Sequence, residues 1–276
     1  MAPEISIDIQ TFVWYPYVMS RVSAVTRQEG PSLLALLAYL AEGSRQRLPQ
    51  AGSVRAHLSL LTGPSLILDV GTTLAGQVAL GGHLVLYVDG ANAFDPYILA
   101  RLAKTAGQDP KTAMQHLRLS RAFTCHQLET LIAERLPAAI AQYRPGLVVI
   151  SGWSHLFHDE NVPAPEAFRI LQNTARRIRS LAAAGQPILA THPDEPVTPR
   201  LPRLRAMLVH AADGVIGFRQ EEGLMLVTRE KPLAALEGAA PGAMSRSLMI
   251  PLEDCRPWIR IARHQEMPAA YPWSGR

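Results

Sequence analysis

Four short apolar runs constrain this chain more than any other feature. They are Ser65–Val70, His83–Val88, Gly146–Ile150 and Gln186–Ala190, each closely bounded by glycine, proline or aspartate. Short runs rich in Val, Ile and Leu read as strands buried on both faces. The stretches between them have helical spacing and predict helices over 95–107, 126–142 and 165–184. Alternation of this kind predicts an α/β fold, a mostly parallel sheet flanked by helices and joined by right-handed crossovers. A further pair, Gly214–Phe218 and Leu224–Thr228, brackets the polar link Arg219–Gly223. That pattern predicts an antiparallel hairpin at the sheet edge near the C-terminus, with one more strand over Ser247–Ile250.

The rest of the chain divides around this core. Residues 1–56 form an N-terminal segment with one apolar helix, Leu33–Leu40 after Pro31, and an aromatic cluster at Phe12, Trp14, Tyr15 and Tyr17. Residues 57–235 form the core, and 236–276 a C-terminal strand and tail. The chain has 276 residues, 48% hydrophobic and 18% charged, which excludes a disordered or fibrous protein. No apolar run reaches the roughly eighteen residues of a transmembrane helix, so no membrane partner is expected. The first residues lack the charged and apolar regions of a signal peptide, and the cytoplasm is the expected location. Cys125 and Cys255 are too few for a disulfide scaffold.

Ligands of open parallel sheets bind at the carboxyl ends of the strands. After the first run, Gly71 and Gly76 have the spacing of a phosphate-cradling GxxxxGK[ST] loop. Gln77 stands where the lysine would reach the phosphates, and Val78 where a hydroxyl would hold Mg²⁺.

Beyond this loop the chain resembles the RecA/RadA-type recombinases. Leu86–Pro96, with Tyr87-Val-Asp89 and Asn92-Ala-Phe94-Asp-Pro96, is similar to that family's Tyr-Ile-Asp-Thr-Glu-Asn-Thr-Phe-x-Pro segment. Arg121-Ala-Phe123 with His126-Gln127 is similar to its Ala-Arg-Ala-Phe-Asn-x-x-His-Gln segment. The similarity spans roughly 57–235 and implies a RecA-like core with a degenerate nucleotide site. By position, the P-loop lysine falls on Gln77, the water-activating glutamate on Ala91 and the Walker B aspartate on Ser151. The resemblance therefore implies a protein without functional ATP hydrolysis, catalytic residues or cofactor. Its expected role is a DNA-binding or assembly accessory in recombination or repair. The alternatives are a regulatory scaffold that binds an active ATPase homologue without DNA, and an ATPase with an unorthodox site.

The family's two DNA-facing loops map by position to about 152–166 and 193–206. From 169 to 205 the chain carries seven arginines, among them Arg176, Arg177, Arg200, Arg203 and Arg205, against two acids. The local net of +5 exceeds the +4 of the whole chain, the electrostatic footprint of a phosphate-binding surface. In the first loop, Trp153 and Phe157 are the residues that could stack on bases. DNA, further copies of the chain or a RecA-like protein are the expected partners.

Two enzyme patterns are weaker. Gly152-Trp-Ser154 follows a strand like a nucleophile elbow, with Asp194 and His210 later, but Leu156 replaces the second glycine. His155, His158 and His192 could converge with Asp159 or Asp194 on zinc, although nine histidines make such coincidences common. Neither a catalytic residue nor a metal is assigned.

Overall fold

The computed structural model describes residues 58–231 and 247–251. The N-terminal helix, the aromatic cluster and the tail lie outside the described residues. In chain order the elements begin with β1 (Leu58–Gly63), α1 (Ile67–Leu80), β2 (Val85–Asp89), α2 (Pro96–Thr105), α3 (Pro110–Gln115) and β3 (Leu117–Arg121). Next come α4 (Cys125–Thr130), a π turn (Leu131–Arg135), α5 (Leu136–Tyr143), β4 (Leu147–Ser151) and a 3₁₀ turn (His155–His158). The described chain closes with α6 (Ala164–Ala183), β5 (Ile188–Pro193), α7 (Leu201–Ala211), β6 (Gly214–Glu221), β7 (Leu224–Lys231) and β8 (Ser247–Pro251).

The strands form one eight-stranded sheet in the order β3-β2-β4-β5-β1-β6-β7-β8. All pairs from β3 to β6 are parallel, whereas β7 runs antiparallel to both β6 and β8. The expected α/β class and its antiparallel edge hairpin are both present. Alternate residues of each strand face opposite layers. Leu86, Val88, Val148 and Ile150 pack beneath α4 to α7, while Val85, Tyr87, Leu147 and Val149 pack against α1.

One expectation fails at the start of the core. Ser65–Val70 is not a strand; the first strand is Leu58–Gly63, and 67–80 is helix. A short apolar run cannot by itself distinguish a buried strand from a buried helix. Gly63-Pro64 ends β1, and α1 begins three residues later. Almost every α1 residue from Ile67 to Gly76 is buried, so the helix carries apolar residues on more than one side. Gly71 and Gly76 are packing residues within it. A Cβ on Gly71 would lie 3.0 Å from Thr191 Cγ2 of β5, and one on Gly76 would lie 2.8 Å from Leu102 Cδ1 of α2.

Two further elements escape the periodicity. The edge strand β3 is mostly exposed and lacks an apolar run. Helix α7 takes up the last six residues, 201–206, of the segment expected to be a loop at 193–206. Pro202 lies in its first turn, where a missing N–H costs no helical bond. Downstream of α4, Pro137 cannot donate to the ladder and its ring crowds the carbonyl four residues earlier. The chain answers with the π turn, in which Leu136 N–H bonds the Leu131 carbonyl. Asp213 fastens the centre of the sheet. Its carboxylate accepts from Leu58 N–H at 2.8 Å, and its own N–H donates to Leu58 O at 2.9 Å.

Gly76→Val forces a branched side chain into the α1–α2 contact. We expect a loss of about 1–3 kcal/mol in chemical denaturation, the usual cost of overpacking. A glycine serving only an exposed loop would leave stability nearly unchanged.

Candidate functional site

The carboxyl ends of β1, β2, β4 and β5 meet near the middle of the sheet, the place where open α/β folds hold ligands. At the end of β1 the link to α1 is only Pro64, Ser65 and Leu66. The first amides of α1 turn inward. Ile67, Leu68 and Asp69 N–H donate to Pro64, Ser65 and Leu66 carbonyls at 3.0 Å, and Val70 N–H also bonds Leu66 at 3.1 Å. A phosphate cradle needs such amides directed at the ligand. Buried Asp69 adds a carboxylate to the same first turn. The loop expected at 71–78 is therefore corrected to helix. Gln77 and Val78 lie late in α1, where Val78 packs on the apolar layer and Gln77 Oε1 is buried without a hydrogen-bond partner in the structure.

At the end of β2, Asp89 is fully buried and organises the following turn. Its carboxylate accepts from Ala93 N–H at 3.2 Å and Phe94 N–H at 3.1 Å, and Arg121 Nε lies 3.4 Å away. Ser151, the register partner of Asp89, is also completely buried. Ala91 stands directly against Gly152, which has φ +62°. A Cβ on Gly152 would come within 2.4 Å of Ala91 Cβ and 3.1 Å of its backbone nitrogen. Tyr87 seals the sheet from the α1 side. Its hydroxyl pairs with Thr72 Oγ1 at 2.9 Å, and burial pushes its pKa up to about 12.

Beyond β4 and β5 the side chains interlock. Ser154 Oγ and His192 Nδ1 are 2.5 Å apart, both in fully buried residues. His158 Nδ1 lies 2.6 Å from Thr198 Oγ1. Burial, followed by nearby cationic and histidine neighbours, lowers the pKa of both His158 and His192 to about 4. The two imidazoles are consequently neutral near pH 7. Ser154 thus meets His192 and not His210, which is exposed at the end of α7. A serine and a base lie within reach of each other, but neither faces solvent. Among the described residues no group of three or more His, Cys, Asp or Glu side chains is placed to hold a metal ion, so His155, His158 and His192 form no such cluster.

The residues named for nucleic-acid contact divide sharply. Arg200 bonds three carbonyls, those of Phe157 (3.1 Å), Asp159 (2.8 Å) and Val162 (2.7 Å). It clamps the turn after β4 to the entry of α7. Arg205 makes two bonds to the Glu230 carboxylate, at 2.9 and 2.7 Å. The Arg203 guanidinium carbon sits over Phe168, 4.2 Å from the ring centroid. Arg176 and Arg177 are exposed on α6, the former bonded to Asn173 at 2.5 Å. Trp153 and Phe157 are fully buried, with Trp153 Nε1 donating to Thr174 at 3.2 Å, and so belong to the core instead of a base-stacking surface. Sequence reasoning misses the turn-organising role of Asp89, the part played by Thr198 and the pairing of Ser154 with His192. Their only signal there is a position just beyond a strand end.

Compared with protein-family models and with curated proteins, the chain matches none.

Gly152→Ala must accept both a left-handed backbone and the Ala91 contact. We expect a loss of roughly 2–4 kcal/mol, measured by urea denaturation. Acid should weaken the interlock. Because the folded pKa of His192 is about 4 and its ordinary value 6.5, the unfolded chain binds more protons between these limits. Stability is complete above pH 6.5 and falls as pH drops toward 4, by about 3 kcal/mol for this residue. Denaturation curves across that range should show a shallower acid-side decline in His192→Asn, which removes the titration.

Proposed function

We propose that this chain is a RecA/RadA-like protein that does not hydrolyse nucleotide and acts as a DNA-binding or assembly component in recombination or repair. The observation that carries the reading is the junction of β1 and α1. Three linking residues, inward-turned amides and a buried aspartate leave no seat for a polyphosphate there. Phosphoryl transfer relies on positioned cations around the transferred group, and this corner of the fold supplies a carboxylate instead. The mostly parallel sheet with its antiparallel edge hairpin is the general fold class that the family resemblance implies, and the resemblance itself rests on the sequence segments around Asp89 and Arg121.

The DNA-binding half rests on α6, whose exposed face carries Arg169, Arg176, Arg177 and Arg179. Exposed guanidinium groups carried on one helix suit phosphate contact. A protein partner is the second reading. Arg200 and Arg205, two of the cations expected to meet phosphate, already hold intramolecular acceptors.

Calorimetric titration with ATP and Mg²⁺ should give no saturable heat, and purified protein should show no turnover above buffer. Saturable binding would remove the central claim. Fluorescence polarisation with single-stranded DNA tests the other half. Charge reversal at Arg176, Arg177 and Arg179 should weaken binding and reduce the salt slope by about 0.7 for each phosphate no longer neutralised. Binding insensitive to both salt and these substitutions would leave the assembly role alone.

A further inference from the structure

Helices α6 and α7 leave an open groove of about 520 Å³ between their early turns. Its floor is apolar, formed by Ala164, Pro165, Phe168 and Met207, and Arg169 and Arg203 flank it. Among the described residues no carboxylate lines it. The two arginines differ from their neighbours in how they are held. Arg200 and Arg205 are fastened to carbonyl and carboxylate oxygens, whereas Arg203 places its guanidinium carbon over the Phe168 ring in a cation–π contact. A cation–π contact gives the guanidinium no acceptor oxygen, so its N–H groups can still meet one. Gln172 adds a further polar group to the lining.

We propose that this groove binds an acidic protein segment that presents an apolar or aromatic side chain between carboxylates. The apolar anchor would cover Phe168 and Met207, and the carboxylates would pair with Arg169 and Arg203. Charge complementarity selects the acid, and the floor selects the anchor. The surroundings favour a short acidic segment over a nucleic acid. Asp159 and Glu160 are exposed on the turn that leads into the groove, and Glu166 sits in the first turn of α6. A continuous phosphate backbone would run against these carboxylates, whereas two isolated acidic side chains need not approach them. This inference does not depend on the DNA-binding reading, and its test separates the two.

The probe is a library of random-sequence peptides, panned against the full chain. Enriched peptides should combine aspartate or glutamate with Trp, Phe or Leu. A fluorescein-labelled representative should lose at least about tenfold in affinity for Arg169→Glu/Arg203→Glu, the loss expected when charged anchors are reversed. Both side chains are exposed, so the variant should still melt cooperatively, its midpoint lowered only by the modest loss of the Arg203–Phe168 contact. Met207→Ser, which removes part of the apolar floor without changing charge or either arginine, should weaken binding as well. Basic or uncharged enriched peptides would overturn the proposal, as would affinity indifferent to both variants. Displacement of the peptide by oligothymidylate, with equal loss of oligothymidylate binding in the double variant, would assign the groove to nucleic acid and overturn it too.

Discussion

The seating of α1 against the sheet is the contact from which the rest of the structure follows. This helix has β5 on one side and α2 on the other, and its small residues set how closely all three approach. Gly71 admits Thr191, and Gly76 admits Leu102. Interiors are packed nearly as densely as organic crystals, so a helix enclosed this way cannot gain volume without displacing a neighbour. The same enclosure determines what α1 can do. Its head folds its amides back on its own carbonyls, and its body is inaccessible, so the place where this architecture offers a ligand seat is filled by structure.

The architecture is legible because strands buried on two faces leave runs that few other structures produce. The runs containing Val85–Val88, Leu147–Ile150 and Ile188–Ala190 are all strands. The first run misleads because α1 is buried on two sides as well, which erases the polar face that ordinarily identifies a helix. Strand β3 is hidden for the opposite reason: at an exposed edge nothing requires its residues to be apolar. Helix α7 is obscured by prolines at 199 and 202, which read as loop punctuation although helix entries tolerate them.

The candidate site is less legible, since charge and position in a sequence do not reveal occupancy. A count of arginines between 169 and 205 treats Arg200 like Arg177. In the fold, one is a clamp on three carbonyls and the other an exposed cation. Trp153 and Phe157 look like stacking residues in a loop, but the chain turns them into the core. Ser154 finds its histidine on the neighbouring strand, 38 residues away, a pairing fixed by sheet order and invisible to local spacing.

The position of β1 has a consequence for how the chain is made. It is the first strand of the described core, yet its two neighbours are β5 and β6. Leu58 pairs with Ile188, and its amide waits for the carboxylate of Asp213, 155 residues further on. At a synthesis rate of about 5–20 residues per second, roughly 8–30 s separate the emergence of that amide from that of its acceptor. For most of this interval, until β5 emerges, neither native neighbour of this apolar strand has been made. Elongation rate and holding chaperones therefore bear on the yield of folded chain before any bound partner does.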